Sequence, residues 1–204
     1  MHLFCHYCPY GFSNCYVLGS DDASANDAII IDPGVVDKQI LDFIENGNYN
    51  LKGVLVTHDH LGHVRGLRTL LRIYSAKIYA VNRVILEYDT NPVKDGDMIR
   101  IGSFQIEVIS IPGHSSDSAV FSIKNLLFTG DVLTAGLVGR TASAYGAALQ
   151  ATNLRSRILS LPGNYTVLPG HGPPSSLEAE RRFNAGIARS DLNFARRSAF
   201  RVDL

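Results

Sequence analysis

The sequence predicts an α/β fold in which two strand-rich halves are each interrupted by helices that cover them. Three observations carry this. Apolar runs at Ala28-Ile29-Ile30-Ile31 and Gly53-Val54-Leu55-Val56 read as strands, the second as one covered on both faces. Each run is followed by apolar residues at helical spacing: Val36, Ile40, Leu41, Phe43 and Ile44 after the first, and Val64, Leu67, Leu70, Leu71 and Tyr74 after the second. The middle of the chain instead shows hairpin punctuation, with Asp95-Gly96-Asp97, Ile101-Gly102-Ser103 and Lys124-Asn125 separating short apolar or alternating runs.

A chain of 204 residues that is 46% hydrophobic can bury one sizeable core, and no linker-like stretch divides it, so residues 1–204 read as a single domain. Lys plus Arg and Asp plus Glu are balanced at 19 each, which gives no global field to recruit nucleic acid or an anionic membrane. The N-terminal stretch lacks the charged start and apolar run of a signal peptide, and no segment approaches the length that spans a bilayer. An odd cysteine count of 3 disfavours a disulfide framework and suits a reducing compartment, so the expected location is cytoplasmic. Nothing in the composition fixes the oligomeric state.

Taken in order, Asn14 to Leu18 and Ala28 to Ile31 are expected to pair as strands across a polar turn, and the second stops at Asp32-Pro33-Gly34. The helix carrying Ile40 and Ile44 ends at Asn46-Gly47-Asn48, residues that tolerate a left-handed backbone. The strand at Gly53 to Val56 leads into three histidines, with a single helix expected behind the last of them. That helix carries Arg65, Arg68 and Arg72 on its other side as a solvated face. Strands follow at Lys77 to Ala80, Met98 to Arg100, Phe104 to Ile109, Val120 to Ile123 and Leu126 to Thr129. The small residues from Thr134 to Gly146 read as a loop bordering a cleft. A helix from Ala147 to Leu161 is stopped by Pro162-Gly163, and Tyr165 to Leu168 makes the last strand. Ser175-Ser176-Leu177-Glu178 reads as a capping box that opens a C-terminal helix with a charged outer face, including Arg181, Arg182, Arg189, Arg196, Arg197 and Arg201 against Glu178, Glu180, Asp191 and Asp203.

Of seven histidines, five sit in Gly/Pro-punctuated turns after apolar runs: His58, His60, His63, His114 and His171. Imidazoles gathered this way at a sheet edge suit a borderline metal such as zinc or iron. His58 and His60, two apart, share a face of an extended chain, and His63 falls beyond the turn at a helix start. His2 and His6 are read as ordinary surface or core residues. Cys5-x-x-Cys8, with His2, His6 and Cys15 nearby, is the rival metal or redox motif. It lacks a second ligand pair at finger-like spacing and reads as two thiols in or beside the first hairpin.

Thr57-His58-Asp59-His60-Leu61-Gly62-His63 resembles the H-x-H-x-D-H signature of the metallo-β-lactamase fold hydrolases. Pro112-Gly113-His114-Ser115, Phe128-Thr129-Gly130-Asp131 and Leu168-Pro169-Gly170-His171-Gly172-Pro173-Pro174 follow in the order that family shows. The resemblance implies a four-layer αββα sandwich with the metal site at one edge. It also implies that His58, His60 and His114 hold a first metal, Asp131 bridges, and His63 and His171 serve a second, with Asp131 and His114 central to catalysis. Gly139-Arg140-Thr141 and the Pro169 to Pro174 stretch look most like the glyoxalase II branch, thioester hydrolases acting on S-acylglutathione. The segment after 175 is shorter than the helical domain with which larger glyoxalase II enzymes hold glutathione.

One letter departs from the signature, since Gly62 stands where the family has an aspartate. Its absence raises the excess positive charge of a two-cation cluster by one and weakens the second metal, because like charges a few ångströms apart repel strongly at reduced dielectric. The expectation is therefore one tightly bound ion, Zn2+ or else Fe2+ or Mn2+, with the second weak or absent. Asp59, adjacent in sequence, is expected to hydrogen-bond near the ligands rather than replace the missing carboxylate. Three functions fit this resemblance: a hydrolase of a small thioester or ester substrate, a mononuclear iron oxidoreductase similar to the persulfide dioxygenases, and a non-catalytic metal-binding module.

Overall fold

A computed structural model describes residues 1–22 and 24–187. Two six-stranded sheets face one another. The first contains β1 (His2–Cys8), β2 (Ser13–Gly19), β3 (Asp27–Ile31), β4 (Asn50–Leu55) and β5 (Lys77–Ala80). A small hairpin of β6 (Val84–Ile85) and β7 (Tyr88–Asp89) follows, and β8 (Asn91–Pro92) then completes the sheet in the order β1-β2-β3-β4-β5-β8. The second contains β9 (Met98–Ile101), β10 (Phe104–Ser110), β11 (Ala119–Ile123) and β12 (Leu126–Gly130). After the hairpin of β13 (Leu133–Thr134) and β14 (Leu137–Val138), β15 (Thr166–Pro169) and β16 (Ser175–Ser176) close it in the order β16-β15-β12-β11-β10-β9.

The layers follow from which residues each strand turns inward. Leu18, Ile29, Ile31 and Leu55 of the first sheet meet Phe104, Ile106, Val108, Phe121 and Phe128 of the second in one buried cluster. Each fully buried side chain of this size contributes about 2–3 kcal/mol from lost water contact. The other face of the first sheet, including Val17, Ile30 and Val54, packs on α1 (Lys38–Asn46) and on α3 (Leu67–Ile73) through Ile40, Ile44, Leu67 and Leu70. The outer face of the second sheet packs on Leu154, Ile158 and Leu177, which belong to the helical segments after residue 144 and after residue 176. The result is the expected αββα sandwich.

Local chemistry explains the element ends. Asp37 caps α1, its Oδ1 accepting from the main-chain N–H groups of Gln39 and Ile40 at 3.0 and 3.3 Å. Asn48 takes the left-handed conformation after it, with φ 49°. Strand β10 alternates as expected, with Phe104, Ile106 and Val108 buried and Gln105 and Glu107 exposed.

Several expectations need correction. The helix behind His63 is two pieces, α2 (Leu61–Val64) and α3, because the Gly66 N–H is drawn to Pro33 O at 2.8 Å and turns the chain against the Asp32-Pro33-Gly34 corner. The stretch from Thr134 to Gly146 is not all loop: β13 and β14 pair there, and α4 (Ala144–Asn153) begins at the Ser143 cap, whose Oγ accepts from Gly146 N at 3.0 Å. After Asn153 the chain widens into a π turn, Leu154–Ile158, which brings both Leu154 and Ile158 onto the sheet. The capping serine of α5 (Leu177–Phe183) is Ser176, bonded to Ala179 N at 3.2 Å, so Glu178 falls one position short of closing a capping box. Ser175 instead donates to Glu180, a buried carboxylate that also accepts from Asn184 and from the Gly136 N–H in the β13–β14 turn. Arg65, Arg68 and Arg72 are exposed as expected, and Arg68 also pairs with Glu87 at 2.8 Å on that solvated face. The residues from Arg189 to Asp203 that were read as a charged helix face lie outside the described residues.

Candidate metal centre

The donors converge where the strands of both sheets end. Strand β4 stops at Leu55, and residues 56–60 turn rather than continue extended, with the His60 N–H reaching His58 O at 3.1 Å. This turn stacks the His58 and His60 rings edge to face, 4.5 Å between centroids. His63 enters from α2, His114 from the turn after β10, Asp131 from the end of β12 and His171 from the loop after β15. The last loop lies close because Gly170 N–H bonds Gly130 O at 2.7 Å. A side chain at Gly170 would stand 2.4 Å from Asp131 Oδ1 and 2.6 Å from the His63 ring, so only glycine allows that approach.

Two donor groups result, His58, His60, His114 and Asp131 in one and His63, Asp131 and His171 in the other, each with its donor atoms within 4.8 Å of one another. Asp131 belongs to both. Its carboxylate oxygens lie 3.7 Å from His58 Nε2, 3.5 Å from His114 Nε2, 3.4 Å from His63 Nε2 and 3.3 Å from His171 Nε2, and His60 Nδ1 is 3.1 Å from His114 Nε2. Donors held about 2.1 Å from one tetrahedral ion stand about 3.4 Å from each other, which is the spacing seen here.

Hydrogen bonding fixes which nitrogen faces inward. Nδ1 of His58 meets Thr57 Oγ1 at 3.0 Å, and since that hydroxyl donates to Asp32 Oδ2 at 2.7 Å it accepts from the ring. Nδ1 of His63 donates to Asp32 Oδ2 at 3.0 Å, that of His114 to Arg140 O at 2.7 Å and that of His171 to Phe12 O at 2.7 Å. Four rings therefore present Nε2 to the centre, and His60 presents Nδ1. The buried His58 Nε2, His63 Nε2 and Asp131 Oδ1 have no hydrogen-bond partner. Buried polar atoms are rarely left so; an ion in the first group would satisfy His58 Nε2, and one in the second would satisfy His63 Nε2 and Asp131 Oδ1.

The electrostatics agree. Burial, reinforced by the neighbouring His63, pushes the His58 pKa down to about 3, and burial with His114 lowers that of His60, so both offer lone pairs at neutral pH. Burial alone would raise the Asp131 carboxyl, but the His171 hydrogen bond and the His63 and His58 rings outweigh it and bring it down to about 2. The His171 pKa is raised by its hydrogen bond to Asp131. That of His63 is raised by Asp32 against the opposing effect of burial.

Asp32, which the sequence presents only as a strand-ending turn residue, supports both groups. It is 2% exposed, sits in the left-handed region with φ 50°, and accepts from Thr57 N at 2.8 Å as well as from the Thr57 hydroxyl and His63. One carboxylate thus orients a histidine of each donor group. The signal was the Asp-Pro-Gly strand end, which was read only as a stop. Asp32→Asn keeps the shape, tolerates the left-handed backbone, and removes the charge behind His63. A zinc titration against a competing chelator should show affinity reduced about 10- to 100-fold.

Asp59 stays outside both groups, its main-chain N–H bonded to Asp117 Oδ2 at 2.8 Å. Cys5 is exposed while Cys8 is buried, and three residues apart on β1 they point to opposite faces; neither belongs to a donor group. His6 is buried with its Nε2 3.1 Å from Asp37 Oδ2, and His2 is exposed. A cavity of about 630 Å³ lined by Asp22, Arg100, Glu107 and Lys124 lies at the other ends of the strands and contains none of these donors. No helix among the described residues is long and apolar enough to cross a membrane.

Hydroxyacylglutathione hydrolase GloC of Haemophilus influenzae is 27% identical over 195 residues, covering 84% of this chain and 91% of its own. The crystal structure of ETHE1 from Myxococcus xanthus superposes with a TM-score of 0.81 at 26% identity, covering 93% of this chain and 85% of that one. The crystal structure of TTHA1623 in a di-iron-bound form superposes with a TM-score of 0.74 at 26% identity, covering 89% and 98%. The Metallo-beta-lactamase superfamily pattern matches residues 8–171, a span that begins on β1 and ends on the last of the histidines gathered around Asp131. By that match and by its four layers, the chain belongs to the metallo-beta-lactamase superfamily.

Proposed function

We propose that this protein is a metal-dependent hydrolase of a small thioester or ester, such as an S-acylglutathione-like substrate, holding one ion tightly in the His58, His60, His114, Asp131 group and a second weakly through His63, Asp131 and His171. The observation that carries the reading is Asp131, one carboxylate shared by two sets of imidazoles whose nitrogens face it, with those of His58 and His63 buried and without a hydrogen-bond partner. Divalent ions bound there supply Lewis acidity to a carbonyl and lower the pKa of water. The chain's own part is to keep His58 and His60 unprotonated, to aim His58 and His63 through Asp32 and Thr57, and to anchor His171 on Phe12 O. A thioester suits these residues. Water adds its oxygen to the acyl carbon, releasing one proton to solvent and leaving the other on the carboxylic acid formed as the C–S bond breaks; the thiolate leaves without needing a proton from a side chain, whereas an amide nitrogen would need one.

The similarity to GloC of Haemophilus influenzae supports this reading, and the balanced charge favours a small-molecule partner over nucleic acid or a membrane surface. Three free cysteines, two of them buried, suit a reducing cytoplasm. The missing carboxylate at Gly62 and the similarity to ETHE1 of Myxococcus xanthus favour a second reading, an iron oxidoreductase like the persulfide dioxygenases. Metal analysis of the purified protein beside a thioester and ester panel separates the two. About one equivalent of metal with thioester turnover is expected, from the donor count of the first group. Two tightly held equivalents would refute the charge argument about Gly62. Iron with oxygen uptake on a persulfide would promote the second reading.

A further inference from the structure

The tip of the β1–β2 hairpin is built against its own folding preferences. Gly11 and Phe12 both take left-handed backbone, φ 92° and 55°, and a bulky residue there is a true outlier. Yet Phe12 is 69% exposed and Tyr10 63% exposed, so neither ring is rewarded by burial in the core. The tip is nevertheless locked to the metal centre. Phe12 O takes the His171 Nδ1 hydrogen bond, and Gly11 lies against Gly62 so closely that a Cβ on it would stand 2.8 Å from Gly62 Cα. Leu61, next to His60, is also exposed, at 62%. Strain and exposed apolar surface held together at the lip of a reactive centre are features of a ligand-gripping element.

Charge completes the patch. The Arg65 guanidinium lies over the Tyr10 ring, 5.0 Å from its centroid, and has no carboxylate partner among the described residues, whereas Arg68 one turn on is paired with Glu87. The ring shields one face of the cation and leaves its donors free for a planar anion.

We propose that Tyr10, Phe12, Leu61 and Arg65 form the recognition surface for the substrate, and that the substrate class is an acyl thioester bearing an apolar group beside the scissile bond and a carboxylate further out. This rests on the hydrolase reading for the thioester. The grip itself is testable apart from catalysis.

The test uses the intact protein and an uncleavable thioether probe, 3-(benzylthio)propanoate, titrated calorimetrically, with the neutral propanamide as its control. Wild type binds the acid more tightly than the amide. Phe12→Asn weakens both by at least about fivefold, the scale of one lost aromatic contact. Arg65→Gln weakens only the acid, and Arg65→Lys recovers part of the loss. Because asparagine adopts the left-handed backbone more readily than phenylalanine, Phe12→Asn keeps or raises the thermal midpoint, whereas a merely structural Phe12 would lower it. Failure of the wild type to bind the acid, or unchanged binding in both Phe12→Asn and Arg65→Gln, overturns the proposal. So does a concentration-dependent dimer abolished by Phe12→Asn, which would make the patch an interface between copies. Hydrolysis of the S-phenylacetyl and S-acetyl thioesters of 3-mercaptopropionate is measured in parallel. Binding as described without turnover of either would uphold the grip and refute the hydrolase reading.

Discussion

Asp131→Ala strips metal from both halves of the centre and lowers thioester turnover by at least about a thousandfold, the upper range for loss of a single stabilising group at a reacting site. Among the described residues it is the only carboxylate in either donor group, and its two oxygens face four imidazole nitrogens at 3.3 to 3.7 Å. Without it, imidazole rings alone must hold divalent cations at a partly buried site, and the uncompensated charge is costly. His114→Ala removes one of three imidazoles from the better group and abolishes binding and turnover there as well. Cys5→Ser and Cys8→Ser leave both intact, since neither sulfur lies in a donor group, and Ser at position 8 can keep the contact with Ser13. Metal content by emission spectrometry and hydrolysis rates on the same preparations decide the matter, with circular dichroism confirming the fold. A full equivalent retained by Asp131→Ala would refute the shared-carboxylate assignment, and metal lost on the cysteine changes would transfer the site to β1.

Much of this site was legible because it depends on local punctuation. Short apolar runs ending in Gly/Pro-punctuated turns read as strands that bring His58, His114 and His171 to a sheet edge, and the family resemblance added Asp131 to that set. The strands were legible for a related reason: β3 is buried along its whole length and β4 from Gly53 onward, while β10 alternates, and those periods differ in the sequence itself; the four-layer arrangement was implied by the family resemblance. What was not legible depends on contacts across the chain. Asp32 looks like a turn residue until Thr57, 25 positions on, and His63, 31 positions on, are brought against it. The break at Gly66 depends on Pro33 O, and the π turn at Leu154 depends on the sheet surface it must cover. Phe12 reads as an ordinary apolar residue, because nothing local reveals a left-handed backbone or a bond to His171.

Gly62→Asp is the change with the largest expected gain. The position lies within α2, its backbone is not left-handed, and a Cβ there would meet Gly11 Cα at 3.6 Å, Gly11 O at 3.8 Å and Ser13 Oγ at 4.0 Å, all ordinary contacts. Stability should therefore move by less than about 1 kcal/mol, as for most substitutions that neither strain nor unpack their surroundings. The electrostatic term is larger. A unit charge about 4 Å from a cation at an effective dielectric of about 20 is worth about 4 kcal/mol, and desolvation takes back part of it, so affinity for a second ion should rise by about 10- to 1000-fold. The aspartate adds an anionic donor one residue before His63, turning the His63, Asp131, His171 group from three donors into four. Under the hydrolase reading, turnover rises with occupancy. Titrating the metal-stripped variant with zinc while following thioester hydrolysis should show a second equivalent binding together with the increase in rate. A well-folded variant that still takes up one equivalent would mean that something other than the missing carboxylate keeps the second group weak.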